Sequence, residues 1–263
     1  MQIPLAPFRL FEARPRSRPS KGRSPVRTPG VRAPDFQALL GPTVWNGLPA
    51  AVQGRFACPA EGSAICYPGA MTVQASTIGW MIAQACRLLG TPLAPWTGDG
   101  VAVDVTVHRE GSALVWDRLY HFPGRAPVRV SSRKIIDARD GLLEVVRGGL
   151  GMALTVTPIE QGLRFQSRHY FLTLRSMRIP IPHLLTPGVA TVVHRDLGHG
   201  RFLFSLAFVH PWLGRTLYQE GEFRDPKAMT PTIALAEDRN ILSADHKGPT
   251  GMIPQAHGLA GVT

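Results

Sequence analysis

The chain has 263 residues, 44% of them hydrophobic and 18% charged, with 29 Lys and Arg against 18 Asp and Glu for a net charge of +11. That composition belongs to a folded chain with a sizeable core, and it excludes a disordered or collagen-like one. Three cysteines, Cys58, Cys66 and Cys86, none in C-x-x-C spacing, argue against a disulfide framework or a structural zinc site and fit a reducing, cytoplasmic setting.

The charge is unevenly placed. Residues 1–34 hold eight Lys or Arg against Glu12 alone, a balance of +7, and the rest of the chain shares 21 basic and 17 acidic side chains, a balance of +4. The stretch "RPRSRPSKGRSPVRTPGVRAP" has no apolar periodicity; its prolines lack backbone donors and its like charges repel, which predicts a disordered basic arm over 1–34. Such an arm is a solvated tail, a weak non-specific binder of anions such as nucleic acid or anionic lipid, or a targeting segment. No window approaches the roughly eighteen apolar residues of a membrane span, so no transmembrane segment is expected.

A single domain is expected over 35–225. "PDFQALLG" places an N-cap at Asp35, an apolar turn through Phe36, Leu39 and Leu40, and a stop at Gly41. "TVWNGLPAAVQGRF" continues as helix interrupted at Gly47-Leu48-Pro49. The long helix is Ser76 to Leu89, where Ile78, Met81, Ile82, Ala85, Leu88 and Leu89 recur at helical spacing before Gly90 and Pro92; the stripe reads as core packing, and Cys86 falls with it.

After Gly98 the period falls to two. In "VAVDVTVHR", Val101, Val103, Val105 and Val107 alternate with Ala102, Asp104, Thr106 and His108, the pattern of a half-buried strand. Further strands follow at 113–122, 127–136, 142–147, 151–157, 163–175, 189–196, 201–209 and 215–224, joined by short glycine-containing turns. The resulting fold class is α+β: a strongly curved antiparallel β-sheet or β-barrel of about nine strands, with N-terminal helices packed on it and the 76–89 helix against it or across one mouth. Residues 226–263 lose periodicity and read as a loosely ordered tail. "GGLGMAL" has the wrong spacing for a dinucleotide site and "GHGRFL" lacks its third glycine, so no cofactor is expected.

"VVHRDLGHGRFLFSLAFVHPW" places His194, Asp196, His199 and His210 close in sequence. A hairpin turning at Leu197 to Gly200 sets His194 opposite Leu203 and His210 opposite Pro187, so the two imidazoles lie about 23 Å apart along the sheet. Ligands must converge within about 2 Å of one point, so no metal site is expected. Phe202, Phe204, Leu206 and Phe208 line one face, Leu203, Ala207 and Val209 the other, and a strand apolar on both faces is expected to be covered on both. That describes either a tightly filled core or an aromatic-lined cavity for an apolar ligand.

The order "FQALLG…LP", "VWDRLYHF", "LLEVV", "GLGMAL", "LRFQSRHYFL", "IPIPHLLTPG", "HRDLGHGRFLFSLAFVHPWLG", "YQEGEF" resembles the bacterial family known as domain of unknown function 4166. The resemblance covers about 36 to 224 and rests on Trp116 with Arg118, Glu144, the Pro-rich turn Pro180 to Pro187, Phe202, Phe204, Pro211, Gly214 and Gly221. A tryptophan that many members carry shortly after the last glycine is replaced here by Glu222-Phe223. The resemblance implies no agreed activity. Some members look fused to a nicotinamide-binding, reductase-like domain, which makes a nicotinamide-dependent reductase-like protein a candidate partner.

In "VWDRLYHF", Trp116, Arg118 and Tyr120 share one face. Arg118 between two aromatics can stack, and can pair with Glu144 if their strands are adjacent, as an anion clamp for a carboxylate or phosphate head group or as a rim ion pair. The expected function is binding of a small apolar or amphipathic, lipid-like molecule. Trp116, Arg118, Tyr120, Met152, Tyr170, Phe202, Phe204 and Phe208 are the candidate ligand-binding residues. The alternatives are an enzyme using Glu144 with His169 or His210 as acid and base, or a non-catalytic interaction module. No G-x-S-x-G elbow supports a nucleophilic triad.

Overall fold

The computed structural model describes residues 31–89, 93–175 and 177–226. Residues 1–30 of the basic arm and 227–263 of the tail lie outside the described residues, while the end of the arm, Val31–Arg32, forms a short strand, β1. Three short helices follow. In α1 (Phe36–Leu40) the Asp35 carboxylate accepts the Ala38 N–H at 3.0 Å, satisfying a free donor of the first turn. Helix α2 (Pro42–Asn46) opens with a proline at its first position, and α3 (Ala50–Phe56) begins after the Gly47-Leu48-Pro49 break.

Ten strands then close on themselves. They are β2 (Ala64–Ala75), β3 (Gly98–Glu110), β4 (Ala113–His121), β5 (Val128–Asp137), β6 (Gly141–Val146), β7 (Leu150–Ile159), β8 (Gly162–Leu174), β10 (Val189–Gly198), β11 (Arg201–His210) and β12 (Gly214–Arg224), with β9 (Met177–Ile181) as a short side arm. Each barrel strand pairs antiparallel with the next in the chain, and β12 returns to β2. This is an up-and-down barrel, which removes free sheet edges by closure.

The tenth barrel strand is β2, where Pro68-Gly69 interrupts any sequence pattern. Pairing of β2 with β12 stops at Gly69↔Phe223, so Pro68 has no ladder partner on that side and needs no N–H there. Gly69 is required by crowding: a Cβ there would lie 2.4 Å from the Phe223 ring.

The β10–β11 hairpin differs from the expected register by one residue. His199 and Gly200 form a two-residue turn with positive φ at both (52° and 69°), and a bulge falls between Asp196 and Gly198, so His194 pairs with Phe204 rather than Leu203. The outer face of β11 is also less covered than expected. Leu203 and Ala207 are half-buried and Val209 is exposed, because among the described residues no helix packs there.

Inside the barrel, α1–α3 fill one end. Phe36 and Phe56 pack edge-on and tilted against Phe165, with ring centroids 5.2 to 5.9 Å apart. Arg55 fixes this end: it is almost fully buried, lies 4.4 Å over the Phe202 ring, and bridges Asp196 at 2.5 Å and Asp225 at 2.6 Å.

The other end carries α4 (Thr77–Cys86) and a following 3-10 turn (Arg87–Leu89). The Ser76 hydroxyl accepts the Gly79 N–H at 3.1 Å as N-cap. The face of this helix corrects the sequence expectation. Ile78, Met81, Ala85 and Leu88 are exposed, and the buried positions are Gly79 and Ala83, with Ile82 and Cys86 half-buried beside them. Small residues let the helix backbone approach the sheet: a Cβ on Gly79 would sit 1.9 Å from the Thr216 carbonyl oxygen. Among the described residues no helix is long and apolar enough to cross a membrane.

Candidate functional site

Inward-facing residues follow strand alternation. On β4 they are Leu114, Trp116, Arg118 and Tyr120, on β5 Val130, Ser132, Lys134 and Ile136, and on β6 Leu142 and Glu144. Beyond Gln166, β10 parts from β8 and the freed edge of β8 pairs with β9 instead. The wall there is completed by β9 and residues 182–188, and a cavity of about 280 Å³ extends from this region into the barrel. Leu185 lines it while remaining 77% exposed, so the cavity reaches solvent between α4 and the Ile181–Pro187 segment.

The walls are largely apolar, with Met152, Phe165, Tyr170, Phe204, Leu206 and Phe208 among them. Against them stands one polar cluster. Lys134 pairs directly across the β5–β6 ladder with Glu144, their Nζ and Oε2 3.2 Å apart. Arg118 donates to the Ser132 hydroxyl at 3.2 Å and reaches Glu144 Oε1 only at 3.6 Å. Strands β4 and β6 are not neighbours as the expected Arg118–Glu144 pair required; β5 runs between them and supplies Lys134. It is also Lys134, not Arg118, that lies over Trp116, 5.1 Å from the ring centroid.

The cluster sets Arg118 and Lys134 against one carboxylate, with Lys134 and Glu144 buried and Arg118 half-buried. Burial alone would push the Glu144 carboxyl up, but the Lys134 and Arg118 charges and hydrogen bonds from Ser132 and Lys134 bring it well below the ordinary carboxylate value. Burial pushes the Lys134 ammonium down, and Arg118 adds to that against the pull of Glu144. The second cation is thus under-compensated. Beside it, Trp116 Nε1–H and His194 Nδ1 are buried without a hydrogen-bond partner.

His194 faces the cavity inside an aromatic cage. Its ring centroid lies 5.0 to 6.2 Å from those of Phe56, Trp116, Phe165, Phe202 and Phe204. Burial, followed by the Lys134, Arg55 and Arg118 charges, lowers its pKa to about 3, which keeps the imidazole neutral at ordinary pH.

Of the residues expected to contact a ligand, Trp116, Arg118, Met152, Tyr170, Phe204 and Phe208 line the cavity. Tyr120 and Phe202 do not. Tyr120 is fully buried with its hydroxyl donating to Gln219 at 2.8 Å, and Phe202 packs toward the helical end against Tyr67 and Phe223. The acid–base pairing of Glu144 with His169 or His210 is not assembled. A bulge in the β7–β8 ladder turns both Ser167 and Tyr170 inward and leaves His169 outside, near Phe171. His210 is buried at the β11–β12 turn, where Nδ1 accepts the Trp212 and Leu213 N–H groups at 3.3 Å. Lys134, Ser132 and His194 are the functional groups the sequence reading left out of the pocket; Lys134 and Ser132 share the alternation of Val130 and Ile136, which was the available signal.

Fold and site together define a closed antiparallel barrel that encloses an apolar chamber with a cationic patch in its wall. A family model described as Domain of unknown function (DUF4166) matches residues 48–223, and the chain belongs to that family. No curated protein and no solved structure matches it.

Proposed function

We propose that the barrel binds a small amphipathic acid, with its apolar body among Met152, Tyr170, Phe204 and Phe208 and its anionic group at Arg118, Lys134 and Trp116 Nε1. The observation that carries this reading is the imbalance of a buried lysine and a half-buried arginine over one carboxylate, next to an indole N–H with no partner, at the wall of an otherwise apolar cavity. An isolated buried charge is costly, and a ligand carboxylate compensates it while accepting from the indole. A dry cavity of about 150 Å³ accepts benzene; at about 280 Å³ this one takes a molecule of about twice that bulk.

Calorimetric titration with octanoate, octanol and octylamine tests the reading. Octanoate should bind about tenfold or more tighter than octanol, and octylamine should not bind. Arg118→Met leaves Lys134 and Glu144 as a balanced pair, so it should erase the preference, whereas Glu144→Gln should keep or strengthen it. Lengthening the acid should tighten binding roughly fourfold per methylene, at about 0.8 kcal/mol per buried CH₂, until the chamber is full. Equal affinity for all three probes overturns the acidic head group, and binding of none overturns the cavity reading.

A further inference from the structure

Among the described residues, large exposed apolar side chains are confined almost entirely to the end of the barrel where the cavity opens. Apart from Val44 and Leu197, they lie on α4 and the turn after it, on the β8–β9 arm, on the His183–Leu185 turn, at the adjoining ends of β10 and β11, and in the β11–β12 turn. The most prominent are Leu88, Leu185, Trp212, Met177, Met81 and Leu184, with Trp80 beside Met81 on the helix.

These elements are tied together through one residue. Thr216, fully buried at the start of β12, accepts the Ser76 N–H at 2.9 Å through its carbonyl, and its hydroxyl donates to the Pro187 carbonyl at 2.6 Å. The start of α4, the 182–188 segment and the strand leaving the Trp212 turn therefore meet at a single point.

The charge at this end is predominantly positive, with Asp99 at the start of β3 as an exposed acid beside it. The connections at 76–97, 122–127, 147–149, 175–188 and 211–215 contain no Asp or Glu. They carry Arg87, Arg125, Arg147, Arg175, Arg178 and Arg215; Arg178 is paired with Asp137 and Asp140 at 2.7 Å each, and the other five have no carboxylate partner among the described residues. Arg125 and Arg87 lie over the Trp96 ring, at 4.0 and 5.7 Å, and Arg215 over Tyr218 at 4.6 Å. Of the acidic residues in the connections, Asp35, Glu61 and Glu160 belong to the other end, while Asp140 reaches Arg178 of the β8–β9 arm.

We infer that this end docks on the surface of an anionic lipid bilayer. Tryptophan, methionine and leucine side chains enter the interfacial layer while unpaired arginines meet lipid phosphates, the combination that holds peripheral proteins at membranes. A second copy of the chain is a poorer occupant, because a two-fold contact through this face sets five unpaired arginines against five, with few acids to offset them. The flanking parts of the chain join elsewhere. Val31 pairs at the end of β5, and Asp225 is held by Arg55 of α3, both at the helical end. Because Leu185 belongs to both the exposed face and the cavity lining, docking there sets the cavity mouth against lipid.

Co-sedimentation of the full-length protein with vesicles tests this, using phosphatidylcholine alone or mixed equally with phosphatidylglycerol. The wild type should pellet with the mixed vesicles and not with phosphatidylcholine alone. The triple substitution Met81→Ser, Leu185→Ser, Trp212→Ser should lower the bound fraction about tenfold or more at unchanged melting temperature, since all three side chains already face water. That variant keeps the basic arm, so undiminished binding would assign the affinity to the arm and overturn the inference. A concentration-dependent dimer that the triple substitution dissociates, without vesicle binding by the wild type, would also overturn it. Neither result depends on whether octanoate enters the cavity.

Discussion

Replacing His194 with Phe should make the barrel resistant to mild acid. His194 has an ordinary value of 6.5 in the unfolded chain and about 3 in its cage. Between those limits the unfolded chain binds a proton that the folded barrel refuses. Its contribution to stability is therefore complete above pH 6.5 and is lost as the pH falls toward 3. With about 1.36 kcal/mol per unit, the loss reaches about 2 kcal/mol at pH 5 and about 4 kcal/mol at pH 3. Phenylalanine keeps the aromatic packing, extends toward the adjoining cavity and carries no proton. Urea unfolding at pH 7.5, 6.5, 5.5 and 5 measures the effect: the wild type should lose about 2 kcal/mol more than the variant between the extremes. Parallel curves for the two proteins, or an NMR titration of His194 with a midpoint near 6.5, would refute the reasoning.

Arg55→Met leaves Asp196 and Asp225 without their shared partner and should destabilise by about 3–5 kcal/mol in chemical denaturation; a change below about 1 kcal/mol would mean that the carboxylates are already well solvated. Gly79→Ala should cost about 2 kcal/mol or more, seen as a lower melting temperature, because the added Cβ meets the Thr216 carbonyl rather than a movable side chain; an unchanged melting temperature would show that α4 is not seated this closely.

How far the sequence discloses this barrel differs from element to element, for identifiable reasons. The alternation of Val101, Val103, Val105 and Val107, and of Phe202, Phe204, Leu206 and Phe208, has a single geometric meaning once both sets must face one interior. Strand β2 escaped because Pro68 and Gly69 break the two-residue period in its middle. The buried face of α4 was misassigned because hydropathy ranks Ile78 and Met81 above Gly79 and Ala83, whereas close backbone approach selects the smaller pair. In the site, Trp116, Arg118 and Glu144 stood out as polar or aromatic residues in apolar strands, but their partnership depends on which strand runs between them. His169 was displaced by a bulge, and a bulge leaves no mark in a two-residue period.

Every wall of the barrel but one joins strands that follow each other around the barrel in chain order, the longest stretch between partners being 76–97 with α4. The exception is the seam of β12 on β2, where Leu217 meets Ala75, with the Arg55–Asp225 bridge reinforcing the same junction. Contacts between such distant segments are slow to find. During synthesis the chamber therefore stays an open sheet until its last strand has left the ribosome, with the aromatic lining bare in the meantime. A nascent chain of this design gains from a chaperone during that interval.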